Sequence, residues 1–201
     1  MSSTINNSPL VRKQWLSFSL LLLSFCLIPI AIAAQSPQAG TFLVATENLD
    51  GSSFQHTVIL ITHYSDRGVT GLAVNRPTNI PLNEALSDFP QFKDNKTFLF
   101  LGGPVSTNAI FVLTYTTTPG KSMHHITDNV YFTTGEHVTD QLLDDNTRIY
   151  AGYTGWGPEQ LEIEIARGDW LVVKTKPDII FEDDLSKLWH QLSKSWSGNW
   201  I

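Results

Sequence analysis

Short apolar segments rich in β-branched residues alternate with turn-forming residues along most of the chain. Such segments predict β-strands, because branched and aromatic side chains fit a pleated, half-buried surface. Turn signals at Asp50-Gly51 and Asp66-Arg67-Gly68 separate the first three segments, and we expect the second and third to form a hairpin. The strands are predicted at 41–46, 56–64, 69–75, 97–104, 109–115, 130–133, 148–156 and 170–175.

Apolar residues at helical spacing predict four helices between these strands and after them. Gly157 and Pro158 resemble the N-cap and first position of the third helix, and Gly168 stands where a helix commonly ends. The apolar stripe of the fourth helix runs from Leu185 to Trp196. The helices are predicted at 81–89, 134–143, 157–168 and 183–196.

The order of these elements shows no regular βαβ rhythm. It predicts an α+β fold, a single compact domain with a mixed, strongly bent or barrel-like β-sheet flanked by short helices.

The first 33 residues differ in composition from the rest. Arg12 and Lys13 precede a hydrophobic leader of about 20 apolar residues, and Ala31-Ile32-Ala33 has the small-residue pattern of a cleavage site. We predict a signal peptide at 1–33, a linker at 34–40 and the domain at 41–201. The alternative is an uncleaved anchor through 15–33, because about 20 apolar residues span a bilayer. Either form would place the domain in the periplasm, free or tethered to the inner membrane.

Charge and cysteine content exclude several functions. All 19 acidic residues follow the leader, whereas Arg12 and Lys13 lie in it, so the domain keeps 11 basic residues and a net charge of −8. Nucleic-acid binding depends on Lys and Arg neutralising phosphates, and we expect none in the exported form. Cys26, the one cysteine, lies in the leader, which excludes disulfides and cysteine-based metal sites from the domain.

Histidine spacing does not predict a metal site. His124 and His125 precede Asp128, but adjacent side chains on an extended segment point to opposite faces, so both imidazoles do not easily reach one ion. We interpret them as solvated loop histidines. No cofactor and no metal are expected, and the chain has no G-x-S-x-G, Walker or H-E-x-x-H motif.

Three glycine- or proline-marked corners provide the candidate binding residues. Arg76, in Asn75-Arg76-Pro77, offers a planar cationic fork for carboxylate or phosphate, although it can instead pair with protein groups and order a loop. Acidic residues after Gly157 disfavour a phosphate at that helix start. We predict a structural corner anchored by Trp156 that can also line a binding cleft. The candidate ligand-binding residues are Asn75, Arg76, Gly102, Gly103, Gly155, Trp156, Gln160 and Glu164.

Several motifs in the same order resemble the AlgH/YqgE family. They are Gly40-Thr41-Phe42-Leu43-Val44-Ala45, Phe54 with Thr57-Val58, His63, Gly71-Leu72-Ala73-Val74-Asn75-Arg76-Pro77, Gly102-Gly103-Pro104-Val105, Gly152-Tyr153-Thr154-Gly155-Trp156-Gly157, Gln160-Leu161-Glu162 with Glu164, Gly168 with Trp170-Leu171, and Leu188-Trp189. The resemblance implies a compact α+β domain with these corners bordering the sheet. It brings no catalytic residues, and it implies a cytoplasmic location and the family's label of transcriptional regulator, which the leader and the acidic charge oppose. Thr46-Glu47 also departs from the family's usual Met-Pro.

These observations predict a non-catalytic binding or regulatory module in the cell envelope, with a small anionic ligand or an envelope protein as partner. One alternative is a structural or assembly domain without a ligand. A second alternative is a hydrolase-like enzyme that uses Glu162 or Glu164 with a histidine such as His63. A transcriptional regulator is an alternative only if the leader is not functional.

Overall fold

The apolar segments of the sequence pair into ten strands of one open, mostly antiparallel sheet in the computed structural model, which describes residues 35–137 and 144–197. The strands are β1 (Phe42–Ala45), β2 (Val58–Ser65), β3 (Gly68–Ala73), β4 (Pro77–Pro81), β5 (Phe98–Leu101), β6 (Val105–Tyr115), β7 (His124–Thr127), β8 (Val130–Thr134), β9 (Thr147–Trp156) and β10 (Trp170–Val173). The helices are α1 (Leu82–Ala85), α2 (Gln160–Arg167) and α3 (Leu188–Ser197). Short 3₁₀ turns cover Glu47–Leu49, Pro90–Phe92, Gly135–His137, Pro177–Phe181 and Leu185–Lys187.

The sheet runs in the order β10-β1-β2-β3-β9-β6-β8-β7, and β4 joins it through β5. β9 pairs with β6 over most of its length, with β3 near Trp156, and in parallel with β5 at Tyr150 and Ala151. This parallel pair makes the sheet mixed, as predicted.

The central strands are apolar on both faces because helices cover both. In β1, Phe42 and Val44 pack into one apolar cluster, whereas Leu43 and Ala45 pack into another on the opposite face. α3 contributes buried Leu188 and Leu192 to the first cluster, and α2 contributes buried Leu161 to the second. A continuous run such as Phe42–Ala45 is therefore required by burial on two sides.

The barrel-like form of the predicted sheet is wrong, since the sheet is not closed. β10 and β7 lie at its two ends, and among the described residues they do not pair with each other. All eight predicted strands are present, but β4 and β7 were not predicted. β4 contains two prolines, which lack a donor and suit an edge strand. His124 and His125 lie on β7, so their assignment to a loop is also wrong.

Two helices are shorter than predicted, for local reasons. The helix predicted at 81–89 is the single turn α1, which ends where Leu86 leaves helical backbone, with φ −126° and ψ 40°. Pro90 also keeps Phe89 out of helical backbone, at φ −105° and ψ 106°. α3 begins at Leu188 and not at 183, because the Asp184 carboxylate caps a separate 3₁₀ turn by accepting from the Ser186 amide at 3.0 Å.

α2 begins three residues later than predicted and ends at the predicted glycine. Glu159, with φ 62°, precedes it, so Gly157 and Pro158 lie outside the helix. Gly168 ends it in the left-handed region, with φ 86°. Leu161 is buried and Glu162 exposed, as in an amphipathic helix.

Parts of three predictions lie outside the described residues. These are the leader with residue 34, positions 138–143 of the helix predicted at 134–143, and the side chains of the tail helix from 195 onward. Within 35–137 and 144–197, no helix combines the length and the apolar content that a bilayer span requires.

We expect Gly152 to tolerate no side chain. Its φ is +70°, and a Cβ there would lie 2.5 Å from the carbonyl oxygen of Gly103. Left-handed backbone costs a residue with a Cβ about 1–2 kcal/mol, and the clash adds to this cost. Gly152→Ala should therefore reduce the free energy of unfolding, measured by urea denaturation, by more than about 2 kcal/mol.

Substitutions at two other glycines separate the cost of left-handed backbone from the cost of the steric clash. Gly51 has φ +77°, and a Cβ there would have nothing within 4 Å of it, so Gly51→Ala should show the backbone cost alone. Gly120 has neither constraint, and Gly120→Ala should leave stability unchanged. A Gly152→Ala protein as stable as Gly51→Ala would contradict the close approach of β9 to Gly103.

Candidate functional site

The candidate residues lie in two separate clefts near opposite ends of β3. Asn75 and Arg76 line the first, which we call the Arg76 cleft, together with Ser52, Ser53, Gln55, His56, Leu185 and Ser186. Gly155 and Trp156 line the second, the Trp156 cleft, together with His63, Ser65, Arg67, Gly68, Val69, Thr70, Val105 and Tyr153. The two clefts share no lining residue, so one small ligand does not contact both Arg76 and Trp156.

Asn75 and Arg76 hold the loop that precedes β2. One terminal nitrogen of Arg76 donates to the carbonyl oxygens of Ser53 and Gln55, at 3.2 and 2.6 Å. The same nitrogen donates to the Thr57 hydroxyl at 2.5 Å. Arg76 therefore orders this loop, which was one of the two roles that the sequence suggested for it.

Asn75 uses both ends of its amide for the same purpose. Its Oδ1 accepts from the Val58 amide, and its Nδ2 donates to the His56 carbonyl oxygen, each at 2.9 Å. The two side chains thus fix the loop against the end of β3 from several directions.

The Arg76 cleft has a volume of about 420 Å³, and protein groups engage several of its polar side chains. Gln55 Oε1 accepts from the Gly51 amide, and the Ser52 hydroxyl accepts from the Phe54 amide while it donates to Leu49. The Ser186 hydroxyl donates to Asp184.

The donors of this cleft remain available. Among the described residues, no hydrogen bond engages Nε or Nη1 of Arg76, Nε2 of Gln55, the Ser53 hydroxyl or the His56 ring. No carboxylate lines the cleft within the described part of the chain. An excess of donors and one fixed positive charge suit an anion.

Glu164 connects α2 to the Trp156 corner. Its Oε2 accepts from the indole nitrogens of Trp156 and Trp170, both at 2.8 Å, and its Oε1 accepts from Gln160 Nε2 at 2.9 Å. Gln160 Oε1 in turn accepts from the Gly157 amide at 3.0 Å. Gln160 and Glu164 therefore brace the corner and line neither cleft.

The carboxylate and imidazole of the hydrolase alternative are not assembled. Glu162 Oε1 accepts from the Tyr64 hydroxyl at 2.6 Å, a bond that raises the pKa of the Tyr64 phenol because deprotonation would place two negative charges together. Across residues 35–137 and 144–197, His63 forms no hydrogen bond with Glu162 or Glu164.

Gly102 and Gly103 allow β9 to approach the chain between β5 and β6. A Cβ on Gly102 would collide with the carbonyl oxygen of Gly152, and one on Gly103 would collide with the Tyr153 backbone. Their positions are explained by packing, and neither lines the two clefts.

A third cleft, of about 360 Å³, has the opposite electrostatic character. Asp145, Glu182 and Asp183 line it beside Phe98, and its one cation among the described residues, Arg148, donates to backbone carbonyl oxygens on both sides. Three carboxylates disfavour an anion there. Among residues 35–137 and 144–197, no group of three His, Asp or Glu residues could hold a metal ion.

Sequence reasoning missed the loop residues of the Arg76 cleft, Ser53, Gln55 and His56. They carry no motif, and only their contacts with residues about 20 positions later bring them to the cleft.

Removing the charge of Glu164 should loosen the Trp156 corner. In Glu164→Gln one oxygen remains for three donors, so an indole N–H must face an amide NH₂ group. We expect the free energy of unfolding to fall by about 1–3 kcal/mol, with a change in tryptophan fluorescence. The control Glu162→Gln changes an exposed bond to Tyr64 and should cost less than about 1 kcal/mol. Equal losses in the two variants would contradict the bracing role of Glu164.

Comparisons with known proteins agree with this architecture. A family model described as AlgH-like matches residues 42–200. A UPF0301 protein of Cytophaga hutchinsonii is 29% identical over 168 residues, which cover 80% of this chain and 91% of that protein. Two solved structures share the fold.

The first structure, of a Corynebacterium diphtheriae protein, has a TM-score of 0.69 at 20% identity and covers 80% of this chain and 88% of its own. The second, the AlgH protein of Pseudomonas aeruginosa, has a TM-score of 0.63 at 24% identity and covers 83% and 92%. The family model spans most of the sequence, and the chain belongs to the AlgH-like family.

Proposed function

We propose that this protein is a non-catalytic binding module whose Arg76 cleft takes a small anion. The observation that carries the proposal is a fixed cation with unengaged donors beside it, in a cleft that no carboxylate lines among the described residues. An anion supplies acceptors and the opposite charge, so it complements these groups, whereas a cationic ligand does not.

The way Arg76 is held favours binding. Its three bonds to Ser53, Gln55 and Thr57 fix the terminal nitrogen Nη2 and leave Nε and Nη1 without a hydrogen-bond partner among the described residues. A guanidinium that is already immobilised loses little conformational entropy when a ligand binds. The structural role of Arg76 therefore supports a ligand role.

The Trp156 cleft is a lesser candidate in the same proposal. Its volume is about 500 Å³, and His63 and Arg67 supply donors beside the Trp156 ring. Both side chains are exposed, and no described contact fixes the Arg67 guanidinium, so an anion there would have to order it.

An assembly role is the second candidate function, and one observation favours it. Ile80, Phe98 and Leu101 expose 49%, 52% and 53% of their surfaces on or beside the paired strands β4 and β5. Exposed apolar residues on neighbouring strands are typical of surfaces that contact another protein. A partner protein in the envelope would fit this observation.

We propose the cell envelope as the site of action, on the evidence of the leader sequence. Arg12 and Lys13, the apolar run and Ala31-Ile32-Ala33 support export. The net charge of −8 after the leader opposes nucleic-acid binding in either compartment.

Arg76→Ala should weaken anion binding. We expect sodium sulfate or sodium acetate, titrated at pH 7, to shift the backbone NMR signals of Ser53, Gln55 and His56. Loss of charge-assisted bonds worth about 1.5–3 kcal/mol should reduce affinity at least tenfold in Arg76→Ala.

Thr57→Val is the matched control, because it removes one bond that fixes Arg76 but keeps the guanidinium. It should retain more affinity than Arg76→Ala. Equal losses would show that Arg76 acts only by ordering the loop, and unchanged spectra with both salts would refute the anion proposal.

Fractionation of the producing cells tests the location. If the leader functions as proposed, the protein should be found in the periplasm or the inner membrane, and N-terminal sequencing of the periplasmic form should begin near Ala34. Intact protein in the cytosol would contradict export and leave the anion proposal unaffected.

A further inference from the structure

His56 has a backbone conformation that is uncommon for a residue with a side chain. Its φ is +55°, in the left-handed region, where histidine is found more often than most residues but at a conformational cost. Asn75 Nδ2 holds its carbonyl oxygen at 2.9 Å, which stabilises this conformation. The neighbouring carbonyl, that of Gln55, is held by Arg76.

The ring of His56 is positioned by the C-terminal helix. It packs against Trp189 with ring centroids 4.2 Å apart. Trp189 is itself fixed, because its indole nitrogen donates to the Ala45 carbonyl oxygen at 2.8 Å. The His56 side chain is exposed, and no described hydrogen bond engages either ring nitrogen. Both nitrogens therefore remain available to a ligand.

The charged groups around His56 are mostly positive. Arg76 lines the same cleft, and the ring of His190 on α3 lies 6.3 Å from the His56 ring. Asp184, close in sequence to Ser186 of the cleft, accepts from the Ser186 amide and hydroxyl and lies 3.7 Å from Lys187 Nζ. Ser186 thus engages its Oδ1, and Lys187 lies beside its Oδ2.

We infer that His56 is the second cationic contact of the Arg76 cleft, and that the cleft selects a dianionic tetrahedral group such as sulfate or a phosphate monoester. This inference rests on the proposed function. Protein acceptors engage Nη2, which both donor forks of the guanidinium share, so Arg76 alone does not chelate a carboxylate. Two charges and four oxygens match the guanidinium together with an imidazolium. Histidine is the side chain that gains its charge within the physiological pH range, so binding strengthens as pH falls.

Sulfate is the probe that tests this inference, because it keeps two negative charges between pH 5.5 and 8. The full-length or mature protein is titrated with sodium sulfate across this range at constant ionic strength. We expect the affinity to rise at least fivefold from pH 8 to pH 5.5. Sodium acetate at pH 7 should bind more weakly than sulfate at the same pH.

His56→Asn is the preferred variant, since asparagine also tolerates left-handed backbone. It should reduce the pH dependence of sulfate affinity to less than twofold and weaken binding most at pH 5.5. His190→Gln is the matched control, because His190 lies beside His56 but does not line the Arg76 cleft. It should keep the fivefold rise.

A measurement on the wild-type protein tests the inference without depending on the folding of the variants. In the wild-type protein, saturating sulfate should move the NMR titration midpoint of the His56 ring to higher pH, because a bound dianion favours the protonated imidazole. The His63 ring, in the Trp156 cleft, should not shift.

The outcomes distinguish this inference from the proposal beneath it. Sulfate affinity that depends on Arg76 but not on pH would overturn the role of His56 and leave the anion site standing. Loss of the pH dependence in His190→Gln with retention in His56→Asn would also overturn it. Absence of sulfate binding at every pH would refute this inference, and absence of both sulfate and acetate binding would refute the anion proposal as well.

Discussion

The fold depends on β9 having three neighbouring strands. β6 pairs along most of it, β5 pairs at Tyr150 and Ala151, and β3 pairs at its last three residues. Gly152 lies between the last two regions with φ +70°, and the glycines at 102 and 103 let the backbone approach without collision. This close packing of main chain on main chain connects the two halves of the sheet. The positions of the two clefts follow from it, because β3 pairs with β9 only through its first residues and Asn75 and Arg76 lie beyond its other end.

Strand positions were predictable because burial on both faces imposes apolar, β-branched runs such as Phe42–Ala45. β4 and β7 were not predictable, since proline and histidine segments become strands only when a partner strand supplies the pairing. The closure of the sheet was not predictable either, because no local residue pattern encodes which strands meet at its ends. Pro90 was visible in the sequence and disfavours a helix that reaches Phe89. The prediction nevertheless followed the apolar spacing of the preceding residues and extended the helix to 89.

Some residues of the candidate site were predictable from the sequence and others were not. Arg76 and Trp156 stand out in the sequence by residue type, and both line clefts. Their separation is a property of β3, whose length keeps them apart. Gln160 and Glu164 were identified for their polarity, but the structure gives their polar atoms to Trp156, Trp170 and Gly157. Ser53, Gln55 and His56 could not be found from sequence, because loop residues acquire a shared role only through contacts with distant elements.

The negative charge of the domain would affect the rate at which an anion reaches the Arg76 cleft. Three carboxylates line the third cleft, and the domain as a whole is strongly negative. At low ionic strength an approaching dianion meets a repulsive field before it comes within reach of the guanidinium. Mobile ions shorten the range of that field to about 8 Å at physiological salt, so added inert electrolyte speeds the encounter even as it weakens the final contact. The association rate and the affinity of the proposed anion would therefore respond to salt in opposite directions, and its capture would be best at intermediate ionic strength.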